Sequence, residues 1–300
     1  MSTLPNDVHW TVWAAIGGMS TFLGGTAIYL AASFVLSSSH VARRPLRVAL
    51  RQWSMELFWV LCTQPLLVFA YVFGRKLGGG KGPPVVFVHG YFQNRVDFLY
   101  LAAFLRRKNV GPLYGFNYTW LSDLPSISRS LDRFIDDIRR ETGSDKVDLV
   151  CHSMGGLVAA HYVQHGGLER VRRCVTIATP HKGIAYKGPI LGRSRAALRS
   201  GHGIEPLPSV PFLSVYSQHD NVVFPHSSAH LAEPGRNVVV PDRGHLAILF
   251  AQPTAEAVAS FLGEPAAQPI TTVASVVSSV DVVPMDGHAA AEPSGSHARA

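Results

Sequence analysis

The chain has 300 residues, with 27 Lys and Arg against 20 Asp and Glu, a net charge of +7. Nearly half of its residues are apolar and the mean hydropathy is +0.16. That is high for a wholly soluble protein and points to a local membrane segment. The basic residues are scattered apart from a knot at Arg43, Arg44, Arg47 and Arg51. No basic stripe interleaved with aromatics follows it, so nucleic acid is not an expected partner, and nothing implies an obligate protein partner.

From Val8 to Val41 there is no Lys, Arg, Asp or Glu. The centre of that run, about residues 10–36, is long enough to cross a bilayer. Trp10, Trp13 and Tyr29 lie towards its ends, where amphipathic rings suit the membrane interface. A cleaved signal peptide is the alternative, but the run has no basic residue before it and exceeds the usual apolar region of such peptides. An uncleaved anchor is therefore expected, its Arg43–Arg51 flank in the cytoplasm by the positive-inside rule. A second apolar stretch, Leu57 to Phe73, carries Gln64 and Pro65. It either crosses back or lies in the interface, which leaves open the side of the membrane on which the rest of the chain lies.

Residues 1–77 thus read as a membrane-anchoring region, and the Gly- and Pro-rich segment from Gly78 to Pro84 as a linker. A β–α rhythm follows over 85–263. Strands are expected at Val85–Val88, Leu113–Phe116, Val147–Val150, Val171–Ile177, Pro211–Tyr216 and Asn237–Val240, and helices at Val96–Arg107, Ile127–Glu141, Met154–His165 and Thr254–Leu262. About six short apolar strands alternating with helices imply an α/β fold, a mostly parallel sheet covered on both faces. Lys182 to Pro208, with Lys187, Arg193, Arg195 and Arg199, fits no strand or clear helix, and 264–300 has the composition of a disordered tail. Cys62, Cys151 and Cys174 have neither metal nor redox spacing. The fourteen histidines are dispersed, so neither a metal nor another cofactor is expected.

The chemistry concentrates at Val147-Asp148-Leu149-Val150-Cys151-His152-Ser153-Met154-Gly155-Gly156. An apolar strand runs into a small-x-Ser-x-Gly turn and then a helix, as a nucleophile elbow requires. Small neighbours let the backbone close so tightly that the serine hydroxyl projects above the sheet. Taken alone, the pentapeptide is equally a serine N-cap. Upstream, the strand Val85–Val88 ends in His89-Gly90-Tyr91. Acyl transfer needs two backbone N–H donors for the oxyanion, and Met154 and Tyr91 are the candidates. A serine also needs a base, and the base an orienting acid. Asp220 and His245 follow successive strands in the expected order. His219, His226, His230 and Asp242 are competitors, whereas Asp148 lies inside a strand.

The run from Pro83 to Leu262 resembles the α/β-hydrolase superfamily, and within it the small bacterial triacylglycerol lipases and related esterases. The resemblance is carried by His89-Gly90-Tyr91, by His152-Ser153-Met154-Gly155-Gly156, by Thr179-Pro180-His181-Lys182-Gly183, by Ser217 to Asp220 and by Gly244-His245. Cys151 departs from the usual glycine. The resemblance implies an α/β-hydrolase fold and a Ser153–His245–Asp220 triad that cleaves lipid or acyl esters through an acyl-enzyme. It also puts His89, Gly90, His152 and His181 at the substrate site, and a bacterial inner membrane as the bilayer partner. A thioesterase or amidase with the same triad, and a catalytically silent scaffold, are the alternatives.

Overall fold

The computed structural model describes residues 6–41, 43–69, 74–186, 190–202 and 209–264. The tail read as disordered lies outside them, apart from Glu264, as do 70–73 of the second apolar stretch and parts of Lys182–Pro208.

Seven strands form one sheet: β1 (Lys76–Gly78), β2 (Val85–Val88), β3 (Leu113–Phe116), β4 (Val147–His152), β5 (Val171–Ile177), β6 (Phe212–Tyr216) and β7 (Arg236–Val239). Their order across the sheet is β1-β3-β2-β4-β5-β6-β7, with β1 antiparallel to β3 and the other pairs parallel. Sequence foresaw the six parallel strands. The seventh, β1, covers only Lys-Leu-Gly at a half-covered edge, too short for a pattern to register.

Because side chains alternate along a strand, two apolar sets face opposite sides of the sheet. Val86, Val88, Leu149 and Cys151 pack against α4 (Leu124–Thr142) and α5 (Met154–Tyr162). Val85, Phe87, Val150 and Val175 pack against α3 (Leu99–Arg107) and α7 (Gln252–Gly263). α4 shows how local sequence makes such a cover. Asp123 caps its start by accepting from the Ser126 N–H at 2.8 Å. Ile127, Leu131, Ile135 and Ile138 bury one face, and Gly143 ends it in the left-handed conformation at φ 70°. A six-residue helix, α6 (Arg195–Ser200), lies in the stretch expected to lack one.

Two helices precede the sheet: α1 (Asn6–Ser37) and α2 (Leu46–Thr63). Val12–Ser37 is long and apolar enough to cross a bilayer. Trp10, Trp13, Met19, Ile28 and Tyr29 are exposed along it, whereas Leu30, Ser33, Phe34 and Ser37 at its end are buried. α2 presents Gln52, Glu56 and Thr63 inward, and Trp59 stacks on Phe250 with ring centroids 3.8 Å apart. The helix is thus docked on the face of the sheet that carries α3 and α7, and the chain breaks into a 3-10 turn at Gln64–Phe69.

Candidate active site

The parallel registers align the carboxyl ends of the strands: Val88 lies beside Cys151, His152 beside Ile177, and Tyr216 beside Val239. The loops after β4, β6 and β7 therefore emerge along one edge, where open α/β sheets hold their sites. Ser153 follows β4, Asp220 follows β6 and His245 follows β7.

Ser153 has φ 52° and ψ −124°, between the end of β4 and the first residue of α5. A non-glycine residue rarely adopts that conformation, and what holds it is close packing around two glycines. A Cβ on Gly155 would sit 2.2 Å from the Val88 carbonyl oxygen, and one on Gly156 would sit 2.1 Å from Thr179 Oγ1. α5 can start directly behind the serine because those positions are bare. Cys151, where related motifs carry glycine, points into the apolar core under α5 and is fully buried, so the departure leaves the turn intact.

His245 Nε2 lies 3.0 Å from Ser153 Oγ, and its Nδ1 lies 2.9 Å from Asp220 Oδ2. Asp220 is itself fixed, since its Oδ1 accepts the Val222 and Val223 N–H groups at 2.8 Å each. Burial pulls the pKa of His245 down, but the Asp220 carboxylate, by charge and by hydrogen bond, and the charge of Glu56 outweigh it, so the net direction is up. Of the competitors named from sequence, Asp242 pairs with His219 at 3.3 Å and accepts from Gln52 at 3.1 Å. Asp148 is bound by Arg172.

The Gly90 N–H donates to Gln93 Oε1 at 2.8 Å, so Tyr91 has the next amide along that loop. Met154 is the first residue of α5, and a helix's first N–H groups have no partner within the helix. The Tyr91 hydroxyl donates to the Leu191 carbonyl at 3.1 Å and accepts its N–H at 3.0 Å. The Tyr91 and Phe92 rings both meet Trp120 edge-on, and Phe92, Leu121 and Leu191 are exposed.

The histidines expected at the substrate site are all buried against protein groups. His89 stacks on Tyr118, and its Nε2 accepts the Tyr118 N–H at 3.3 Å. His181 Nε2 lies 3.0 Å from Thr176 Oγ1. His152 lies between Gln93 Oε1 at 2.7 Å and the His245 carbonyl at 2.9 Å. Burial lowers all three pKa values, to about 4 for His89 and about 3 for His181, which keeps those two rings neutral. Their observed contacts hold loops together. Sequence reasoning missed Gln93, which ties Gly90 to His152, and also Asn221 and Glu56. Asn221 Oδ1 accepts the His245 N–H at 2.9 Å, and its Nδ2 donates to Ser33 Oγ of α1 at 2.8 Å. One sequence signal for Glu56 existed: it is the lone carboxylate between Asp7 and Asp97.

A family model for the alpha/beta hydrolase fold matches residues 83–191, which include Ser153 and stop short of Asp220 and His245. The mature form of the lipase BlEst2 from Bacillus licheniformis is similar at 17% identity and a TM-score of 0.53, over 60% of this chain and 91% of that one. Its propeptide form is similar at 17% identity and a TM-score of 0.54, over 65% of this chain and 54% of that one, about half its length. The chain has the α/β-hydrolase fold and resembles small bacterial lipases and esterases.

Proposed function

We propose that this protein is a membrane-tethered serine hydrolase that cleaves carboxylic esters of lipid or acyl type by two-step acyl transfer. The observation that carries the reading is the hydrogen-bonded row Ser153 Oγ, His245 and Asp220, at 3.0 and 2.9 Å, with the serine held at positive φ. His245 Nε2 takes the Ser153 proton as Oγ attacks the ester carbonyl, and the Tyr91 and Met154 amides receive the oxyanion. The tetrahedral intermediate breaks the C–O bond to the alcohol, which leaves with the proton from His245. Water then attacks the acyl-enzyme with His245 again as base, releasing the acid and restoring the serine.

Two features favour an apolar ester. Phe92, Leu121 and Leu191 make an exposed apolar rim beside Tyr91, and the exposed part of α1 offers about 30 Å of apolar helix to a bilayer. The buried end of α1 argues for its retention, because Ser33 holds Asn221, which in turn holds the His245 backbone. α2 is docked on the domain through Trp59 and Val60, which favours reading the described part of the second apolar stretch as a cover for the domain. On that reading the positive-inside rule, applied to the Arg43–Arg51 cluster, favours a cytoplasmic catalytic domain.

A fluorophosphonate probe should label the wild type and fail on Ser153→Ala. Among matched acyl esters, thioesters and amides, the ester should turn over fastest. An unlabelled, folded wild type would sink the serine-hydrolase reading; faster thioester or amide turnover would move the substrate class.

A further inference from the structure

The catalytic histidine is held from outside the sheet. α2 brings Glu56, 2% exposed, against the segment that follows β7. Its Oε1 accepts the Leu246 N–H at 2.7 Å and its Oε2 accepts the Ala247 N–H at 2.9 Å. These are the two residues after His245, and the short 3-10 turn Ala247–Phe250 starts on them. A carboxylate across two successive N–H groups at a turn's start fixes both the position and the direction of the backbone. The fit leaves no slack, since a Cβ on Gly244, just before His245, would lie 2.4 Å from Glu56 Oε2. With Asn221 accepting the His245 N–H itself, three consecutive amides, 245 to 247, are held by side chains.

We propose that Glu56 is a positioning residue for the catalytic histidine, a buried carboxylate supplied by the helix that follows the membrane segment and acting on His245 through the Leu246 and Ala247 backbone. This rests on His245 being the base of the triad. Neither the sheet nor any loop of the hydrolase fold supplies this carboxylate; the N-terminal extension does. The ionisable groups that bear on Glu56 are His245 and Asp220 in the site and Tyr29 of α1. Burial raises the pKa of Glu56 to about 7, against the pull of the two backbone donors and of His245. In its charged form it in turn favours the imidazolium that forms as the serine proton moves.

Glu56→Gln keeps the size but turns a donating amide NH2 towards one of the two N–H groups. In the full-length protein, kcat per titrated active site should fall about tenfold or more, with KM little changed. The acid limb of the kcat/KM profile should move to lower pH by about half a unit or more, because a charge that favours imidazolium is gone. Glu56→Asp, which keeps the charge at a shorter reach, should lower kcat without moving the limb. Ser54→Ala, on the exposed face of α2, should leave both unchanged. A folded Glu56→Gln with wild-type kcat and an unmoved limb would overturn the proposal. Should that variant not fold, Glu56→Asp decides: kcat lowered on titrated sites supports it, wild-type kcat overturns it. A wild type unreactive towards fluorophosphonate would instead refute the triad itself.

Discussion

Ser153 at φ 52° shows how much of this site depends on what neighbouring residues lack. Gly155→Ala would drive a Cβ into the Val88 carbonyl, a backbone atom that cannot swing away. The expected result is a loss of about 2–4 kcal/mol in stability and slower fluorophosphonate labelling. A variant with wild-type melting temperature and labelling rate would show that the elbow has room. Asp220→Asn makes the complementary test. Its Oδ1 partners, the Val222 and Val223 amides, can stay, but the amide at the other position donates to His245 Nδ1 and inverts the tautomer. kcat should fall by roughly 10³- to 10⁴-fold with the fold intact, and a loss below tenfold would remove Asp220 from the triad. These residues were legible in sequence because the elbow signature is local and the acid and histidine follow strands in a known order. Gln93 and Asn221 were not, since each matters only through partners brought together by the fold, 59 positions away for Gln93 and His152.

At the scale of elements, the apolar pattern gave the six parallel strands and four covering helices, and left the stretch that begins in α2 open between a second span and an interfacial helix. The run from Leu57 onward reads as a possible second span, but Trp59 and Val60 pack on the domain's own core. Its apolar content serves docking, and the buried Glu56 beside it would be costly in hydrocarbon. That burial has a consequence for stability. The folded protein holds a proton at Glu56 up to about pH 7, whereas an ordinary glutamate releases it near 4.5. Across that window the folded state binds more protons than the unfolded one, so this contribution is full below about 4.5 and fades as pH rises through 7. Asp97, also raised to about 7 by burial, acts with the same sign, while His89 and His181 act oppositely below their ordinary range. The clean observable is therefore a difference. The melting temperature of the wild type minus that of Glu56→Gln should fall between pH 5 and pH 8, and parallel curves would refute the assignment. The site keeps a charge that costs stability at working pH beside the one histidine it can assist, a trade common at active sites.

At the scale of the whole molecule, a helix long and apolar enough to cross a bilayer and the helix after it meet the α/β-hydrolase-fold domain at the loops that follow β6 and β7. Ser33 touches Asn221, His40 stacks on Phe224, Gln52 donates to Asp242, and Glu56 holds Leu246 and Ala247. Each N-terminal partner meets a loop after β6 or β7, the two loops that carry Asp220 and His245. An anchor that only tethered would need none of these contacts, and a flexible linker would serve it better. Two truncations separate tethering from support. Removing residues 1–28 deletes most of the exposed apolar helix but keeps Leu30 to Ser37 and all of α2. That protein should leave the membrane fraction on low-speed extraction and still react with fluorophosphonate within a few-fold of the full-length rate. Removing residues 1–63 also deletes Ser33, Gln52, Glu56 and Trp59, and strips the cover from Phe250. It should label at least tenfold more slowly per folded molecule, or aggregate through the uncovered face. If the longer truncation were soluble and labelled at the full-length rate, the sheet and its own loops would suffice for the site. The N-terminal helices would then be an anchor alone.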